Sequence, residues 1–318
     1  MKGDTASRAS VLSAADLSRR YRSGKGVFGI TLSLEAGEVV GLMGPNGSGK
    51  TTLLRMLATA SQPTSGRLSW FGNSNSRDPS VRRRLGTVLD QAAHFEQMTG
   101  YQNAWFFARQ FGLSRELTAS RLEELLRWAG ICEARDQLVR EYSLGMKRRL
   151  NLVEALVHRP EILLLDEPTL ALDYRAELQL IERLQLLTLT GTAVVLATND
   201  VHLAERLCDR IVFLHQGRVI REGRVPELMT ALAGSKEVQL QMSSPVSLEK
   251  LRAVPSVEAA NVEGDTVHIV LARGANPADV LAVLNGTADL VSTMRVRRPN
   301  LGDLFLKLTG VALPADKE

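Results

Sequence analysis

Residues 44–51 read Gly-Pro-Asn-Gly-Ser-Gly-Lys-Thr and fit the pattern G-x-x-x-x-G-K-[ST]. The chemistry of that pattern is phosphate binding. Its glycines let successive backbone N–H groups curl around a phosphate, and the N-terminus of a following helix adds its dipole. At this spacing the Lys50 ammonium reaches the β- and γ-phosphates, and the Thr51 hydroxyl can ligate Mg2+. A second set comes from ILLLDE at 162–167. A buried strand ending in Asp166 delivers a carboxylate to a metal's shell. Glu167, one residue on, can polarise a water in line with the γ-phosphate, and phosphoryl transfer depends mainly on such positioning and charge stabilisation. A third position is Asn199, at the polar break in LATNDVHLAE (196–205).

Each feature also has a plainer reading. The glycines could form a turn that binds nothing, and Glu167 could be a surface residue before Pro168. Asn199 could simply cap the helix after it. Its amide donates through one atom and accepts through the other, so capping and a γ-phosphate contact do not exclude each other. His202, one turn along the same helical face, is a second, weaker choice for that contact.

The elements that must position these residues are short apolar strands alternating with helical segments. VVGLM (39–43) leads into the glycine loop, and TLLRMLA continues from it as a helix. LGTVLD (85–90), ILLLDE and TAVVLAT (192–198) are further strands, and a hairpin begins near residue 210. Such alternation predicts a parallel sheet covered on both faces. Between Gln91 and His158 helical spacing takes over, which predicts a helical subdomain at about 92–158 inserted into an α/β domain of residues 16–234. From 235 to 318 the order reads strand, helix, strand, strand, helix (NPADVLAVLNG), strand. That is the βαββαβ, ferredoxin-like arrangement of a small α+β accessory domain.

Composition bounds the partners. The chain has 318 residues, 44% hydrophobic and 23% charged, with a net charge of +4. That excess suits a phosphate-rich ligand or an anionic membrane surface and is too small to argue for nucleic acid. Cys132 and Cys208 follow no pairing or metal-ligand pattern, as in a reducing compartment. No apolar run approaches the roughly 18 residues of a membrane helix. Residues 1–15 lack the apolar segment of a secretory signal and read as a flexible tail. Six aromatic residues, Phe95, Tyr101, Trp105, Phe106, Phe107 and Phe111, fall in one stretch. Most are expected to pack a core, while others could form a groove for a partner's helix. Arg82-Arg83-Arg84 and Arg295-Val-Arg297-Arg298 read as solvated faces or as membrane-headgroup contacts.

The phosphate loop, Gln91, EYSLGMKRRL, LLLDEPTLALD and ATND stand in the order and spacing of an ABC transporter nucleotide-binding subunit, which residues 16–234 resemble. MTGYQNAWFFARQFGL and the ending RPNLGDLFLKLTG are similar to exporter-type subunits of drug-resistance, polysaccharide-export and sodium-efflux systems. The resemblance implies a P-loop ATPase cassette that binds ATP and Mg2+ through Gly44, Pro45, Asn46, Gly47, Ser48, Gly49, Lys50, Thr51 and Thr52. It implies that Tyr21 stacks on adenine, and that Gln91 reaches the metal or attacking water and senses the membrane partner. Ser143 and Gly145 stand in its signature sequence, where Leu144 replaces a glycine and so should avoid φ > 0. Lys147, Arg148 and Arg149 open the next helix against its dipole, as suits an anion in front of them. Asn199 occupies the place of the family's switch histidine.

The implied assembly is a head-to-tail dimer. One copy's loop and the other's Ser143 and Gly145 would clamp one ATP, with Asp173 at the seam. A separate transmembrane permease would hold the pair at the cytoplasmic face of the membrane. A non-transport ABC protein of translation or DNA repair is the second reading. Those relatives usually carry two cassettes, a cysteine-rich cluster or a long coiled coil, and none is evident here. A nucleotide kinase is the third, against which the signature stretch and Glu167 argue.

Overall fold

A computed structural model describes residues 9–89, 94–243, 248–278, 280 and 291–313. It starts with a strand where a tail was expected. Residues 10–15 belong to β1 (Ser10–Arg20), which pairs antiparallel with β2 (Gly26–Glu35) and β4 (Ser65–Trp70). The expected tail is too long because Leu12 and Ala14 are apolar at alternate positions and bury against the sheet's partners: Leu12 lies opposite both Leu34 and Trp70.

The second sheet carries the chemistry. Its order is β5 (Leu85–Val88), β6 (Ile162–Asp166), β7 (Ala193–Ala197), β3 (Val39–Met43), β8 (Arg210–His215) and β9 (Arg218–Arg224). The first five strands run parallel and β9 closes the edge antiparallel to β8. Every residue of β3, β6 and β7 is buried, as expected for parallel strands covered on both faces. β6 and β3 both flank β7, so the chain leaving all three strands emerges at one edge, where an open α/β sheet binds its ligands. α1 (Lys50–Leu57) follows β3 directly.

Between β5 and β6 lie α3 (Gly100–Gln110), α4 (Arg115–Trp128) and α5 (Leu144–Leu156), and α2 (Pro79–Arg82) precedes β5. Thr99, Ser114 and Ser143 cap the N-termini of α3, α4 and α5 with side-chain oxygens, satisfying donors that a helix start leaves unpaired. Tyr101 and Trp105 pack against the core and Phe111 stacks flat on His158, with 3.6 Å between centroids. Phe95, Phe106 and Phe107 instead contact one another, and Phe95 and Phe106 are exposed.

After α6 (Tyr174–Leu189), α7 (Val201–Leu207) and α8 (Val225–Thr230), a third sheet forms from β10 (Lys236–Met242), β11 (Val257–Glu263), β12 (Thr266–Leu271) and β13 (Val291–Arg297). Its order, β11-β12-β10-β13, is all antiparallel, as the ferredoxin-like arrangement requires. α9 (Leu248–Arg252) joins β10 to β11. Most of the helix expected at NPADVLAVLNG lies outside the described residues. α10 (Leu301–Thr309) leaves this sheet, and Leu301, Leu304 and Phe305 bury in the same core as Leu203, Ala204 and Phe213. No helix among the described residues is long and apolar enough to cross a membrane.

Candidate active site

The loop from Gly44 to Gly49 turns tightly between β3 and α1. Gly44, Gly47 and Gly49 have φ of 157°, 81° and 111°, which L side chains rarely adopt. A Cβ on Gly44 would lie 2.1 Å from the Leu214 carbonyl oxygen, and one on Gly49 would lie 2.4 Å from Val27 Cγ1. The loop therefore keeps its shape only with glycine there. Space over Gly47 is open.

A cavity of about 460 Å3 sits over this loop. Residues 45–52 line it, together with Tyr21, Lys25, Arg148, Asp166 and Glu167. Sequence motifs separated by more than a hundred residues thus meet around one space. The Ser48 hydroxyl is buried there with no hydrogen-bond partner among the described residues. Tyr21 is partly exposed, its hydroxyl 3.4 Å from Thr52 Oγ1 and the Arg19 guanidinium 5.5 Å from its ring.

Lys50 Nζ donates to the Gly44 carbonyl and, at 2.8 Å, to Asn199 Oδ1. Burial lowers the Lys50 pKa, against the opposing pull of the Glu167 and Asp166 charges. Glu167 Oε2 accepts from the Thr198 hydroxyl at 3.2 Å and the Asn199 N–H at 3.4 Å. Burial raises the Glu167 pKa above the usual carboxylate range, more than Lys50 lowers it. A carboxylate kept basic beside a phosphate-binding lysine is suited to accept a proton. Glu167 also takes φ of 44°, and its N–H is fixed to the Ala197 carbonyl at 2.9 Å.

Asn199 does not cap α7. Asp200 does, its Oδ1 accepting from the Leu203 N–H at 2.8 Å, because the helix begins one residue later than the capping reading required. Asn199 instead turns to the loop, with Nδ2 donating to Asn46 Oδ1 at 3.3 Å. His202 lines a different cavity, so it is no substitute.

Ser143 and Gly145 do not line the nucleotide cavity of their own chain. The Ser143 hydroxyl accepts from the Met146 N–H at 3.2 Å, and Leu144 opens α5 in helical conformation. Gly145 lies close against the Ala171 carbonyl, where a Cβ would come within 2.7 Å. Asp173 caps α6 and pairs with Arg149; the Ala176 N–H, then Arg149, hold its carboxyl below the usual range. Gln91 lies outside the described residues.

The three basic residues at the start of α5 need no external anion, since each has an acceptor in its own chain. Lys147 reaches Glu96 at 3.1 Å, Arg149 pairs with Asp173, and Arg148 Nη2 donates to the carbonyls of Asp166 and Glu167. Lys25 is a cavity residue that sequence reasoning missed, and Arg148, which it read only as one of three basic residues facing an anion, lines the cavity as well. The signal for Arg148 was its place beside the signature; Lys25 gave none.

A strand, glycine loop and helix bearing Lys50, beside a strand ending in Asp166 and Glu167, define a P-loop nucleoside triphosphatase. The ABC transporter family profile matches residues 27–170. The chain is 37% identical over 294 residues to the Nod factor export ATP-binding protein I of Burkholderia pseudomallei (strain 1710b), covering 92% of this chain and 94% of that protein. It is 35% identical over 315 residues to the daunorubicin/doxorubicin resistance ATP-binding protein DrrA of Streptomyces peucetius, covering 96% and 93%. Among solved structures, a dimeric post-hydrolysis ATP-binding cassette bound to ADP and Pi matches with a TM-score of 0.63 at 27% identity, covering 67% of this chain and 98% of that one. The chain belongs to the ABC transporter family. It is an ATP-binding, ATP-hydrolysing subunit of the exporter type, and the reading as a translation or DNA-repair protein is not favoured.

Proposed function

We propose that two copies of this chain close head to tail around ATP and drive export through a separate permease, which holds them at the cytoplasmic face of the membrane. The observation that carries this reading is the one-sided nucleotide cavity. Loop, Asp166 and Glu167 surround it, while Ser143 and Gly145 lie outside it in their own chain. A second copy would bring its own Ser143 and Gly145 to the γ-phosphate, with Asp173 near the seam, and ligand that favours the closed pair shifts the population toward it.

Thr51 and Asp166 both line the cavity and offer hard oxygen donors, the kind Mg2+ takes alongside substrate phosphates. Among the described residues no cluster of His, Cys, Asp and Glu could hold a metal unaided. Thr51 and Asp166, with Gln91, would hold Mg2+, which when bound neutralises phosphate charge. Lys50 binds the β- and γ-phosphates, Tyr21 stacks on the base, and Asn199 donates to the γ-phosphate. Glu167 takes the proton from the attacking water as the γ-phosphoryl group leaves ADP.

Residues from Ser10, where β1 starts, to 234 form the cassette in this reading, with its helical subdomain at 92–158, and 235–318 the accessory domain. Exposed Phe95 and Phe106, packed on half-buried Phe107, are the face offered to the permease, since exposed apolar patches mark interaction sites. Nucleic acid has no part. Sedimentation of a Glu167→Gln variant saturated with magnesium and ATP tests the assembly. Dimers are expected, and single copies even beside the permease would overturn it.

A further inference from the structure

A cavity larger than the nucleotide site lies between the third sheet and the cassette. It is a groove of about 840 Å3, walled by β10, β12 and β13 on one side and by α7 and α10 on the other. Strand register builds the sheet wall. Gln239 lies opposite His268 and Arg295, and Gln241 opposite Thr266 and Thr293. Alternate residues Val238, Leu240 and Met242 fill the sheet's own core, so the polar set faces the groove.

A solvated sheet face would not require a buried carboxylate behind it. Glu237 is fully buried, 3.1 Å from His268 Nδ1 and 3.0 Å from Arg297 Nε. Asp303 holds Arg297 from the other side at 2.8 Å. Burying a carboxylate is costly unless it is well paired, and here the pairing fixes a histidine and an arginine on the groove wall. Two carboxylates thereby answer Arg297, which keeps part of the exposure its sequence context suggested and is ion-paired as well. Arg295 and Arg298, on the same wall, have no carboxylate within ion-pair distance among the described residues. Of the acids that also line the groove, Glu205 accepts from the Leu301 N–H at 2.8 Å and Asp303 from the Asn300 N–H at 2.7 Å; the third is Glu263. The groove's charge is therefore mixed, and among the described residues Arg295 and Arg298 are the cations of its sheet wall that no carboxylate answers, Arg295 on the strand next to the Gln239 amide.

We propose that this groove binds a small soluble anion, a carboxylate or phosphate ester, through Arg295, Arg298 and Gln239. Its volume falls in the range of small-molecule sites, about 300–1,000 Å3. The opposite wall is α7, which begins directly after Asn199 and Asp200 and is tied to α10 by Glu205. An anion held on the sheet wall lies against α7, the helix that follows the Lys50 partner Asn199 two residues on, and through that helix nucleotide and anion alter each other's affinity reciprocally. This coupling rests on the proposed contact of Asn199 with nucleotide; binding in the groove does not.

The test is calorimetric titration of the full chain, its nucleotide site filled with ADP, with citrate, glycerol 3-phosphate and inorganic phosphate in turn. Saturable binding of at least one is expected, weakened at least about tenfold by Arg295→Glu, which removes a charge-assisted hydrogen bond, or by Thr293→Glu, which sets a carboxylate against the anion. Both positions are exposed, so the variants keep the fold. Failure of all three anions to saturate the native chain would overturn the site. So would binding untouched by both substitutions, or binding only to phosphatidylserine vesicles. Groove binding that leaves the ATPase rate unchanged would overturn the link to α7.

Discussion

Lys50 Nζ donates to Asn199 Oδ1 at 2.8 Å, joining the phosphate loop to the chain just past β7 across 149 sequence positions. If both partners contact the γ-phosphate as proposed, phosphate oxygens must replace this bond. Asn199→Ala is expected to lower kcat about tenfold, the worth of one hydrogen bond to a charged group, with ATP binding retained. Glu167→Gln removes the base and is expected to lower kcat by about 10²–10⁴. Steady-state ATPase assays decide. An unchanged Asn199→Ala beside an inactive Glu167→Gln would end the γ-phosphate role.

The contacts of Arg148 predict that it positions Glu167 for the same reaction. It donates to the Glu167 carbonyl at 2.5 Å and holds the turn in which Glu167 takes positive φ. Arg148→Met leaves these carbonyls without that donor, at a cost of about 1–3 kcal/mol. The expected kinetic result is a fall in kcat with KM for ATP little changed, partly restored in Arg148→Lys. A change confined to KM would place Arg148 in nucleotide binding instead.

Burial raises the Glu167 pKa, which sets a sign for stability. Between the ordinary carboxylate pKa and the raised folded value, the folded chain binds more protons than the unfolded one, so stability falls as pH rises through that window. Without nucleotide, Glu167→Gln is therefore expected to melt higher than the native chain at pH 8, with the difference shrinking toward pH 5. Calorimetric melting points across that range check it, and a constant difference would mean that charge is not the cause.

His158 gives the opposite sign. Burial lowers its pKa to about 4, its ring stacked on Phe111 and its Nε2 2.9 Å from the Leu85 carbonyl. The folded chain keeps it neutral while the unfolded chain takes up a proton below the ordinary pKa of 6.5. Its contribution is complete above pH 6.5 and is lost as pH falls toward about 4. His158→Phe is expected to flatten that part of the acid limb in urea titrations. An unaltered slope would assign acid sensitivity to other groups.

Much of this site is legible in sequence because its parts are backbone geometry. The glycine loop, Lys50 and the strand-end Asp166 are specified by local pattern, and each sits where that pattern puts it. Roles set by tertiary contacts are not. Whether Asn199 or Asp200 caps α7 turns on a one-residue difference in where the helix starts. The partners of Arg148 come from a strand end 18 and 19 residues on, and nothing in KRRL encodes them. β1 escaped the reading because its alternation runs through small residues such as Ala14, whose burial depends on β2 and β4.

Phe305 shows how far the last segment is built into the cassette. It is fully buried, its ring 5.7 Å from Phe213 of β8, and β8 pairs with β3, the strand feeding the phosphate loop. α10 therefore covers the same core that supports Lys50. Phe305→Ala leaves a large void and is expected to destabilise the chain by about 3–5 kcal/mol. Urea unfolding followed by tryptophan fluorescence should show one cooperative transition moving to lower denaturant. If α10 were a separable appendage, the cassette transition would stay in place and only a minor early phase would shift.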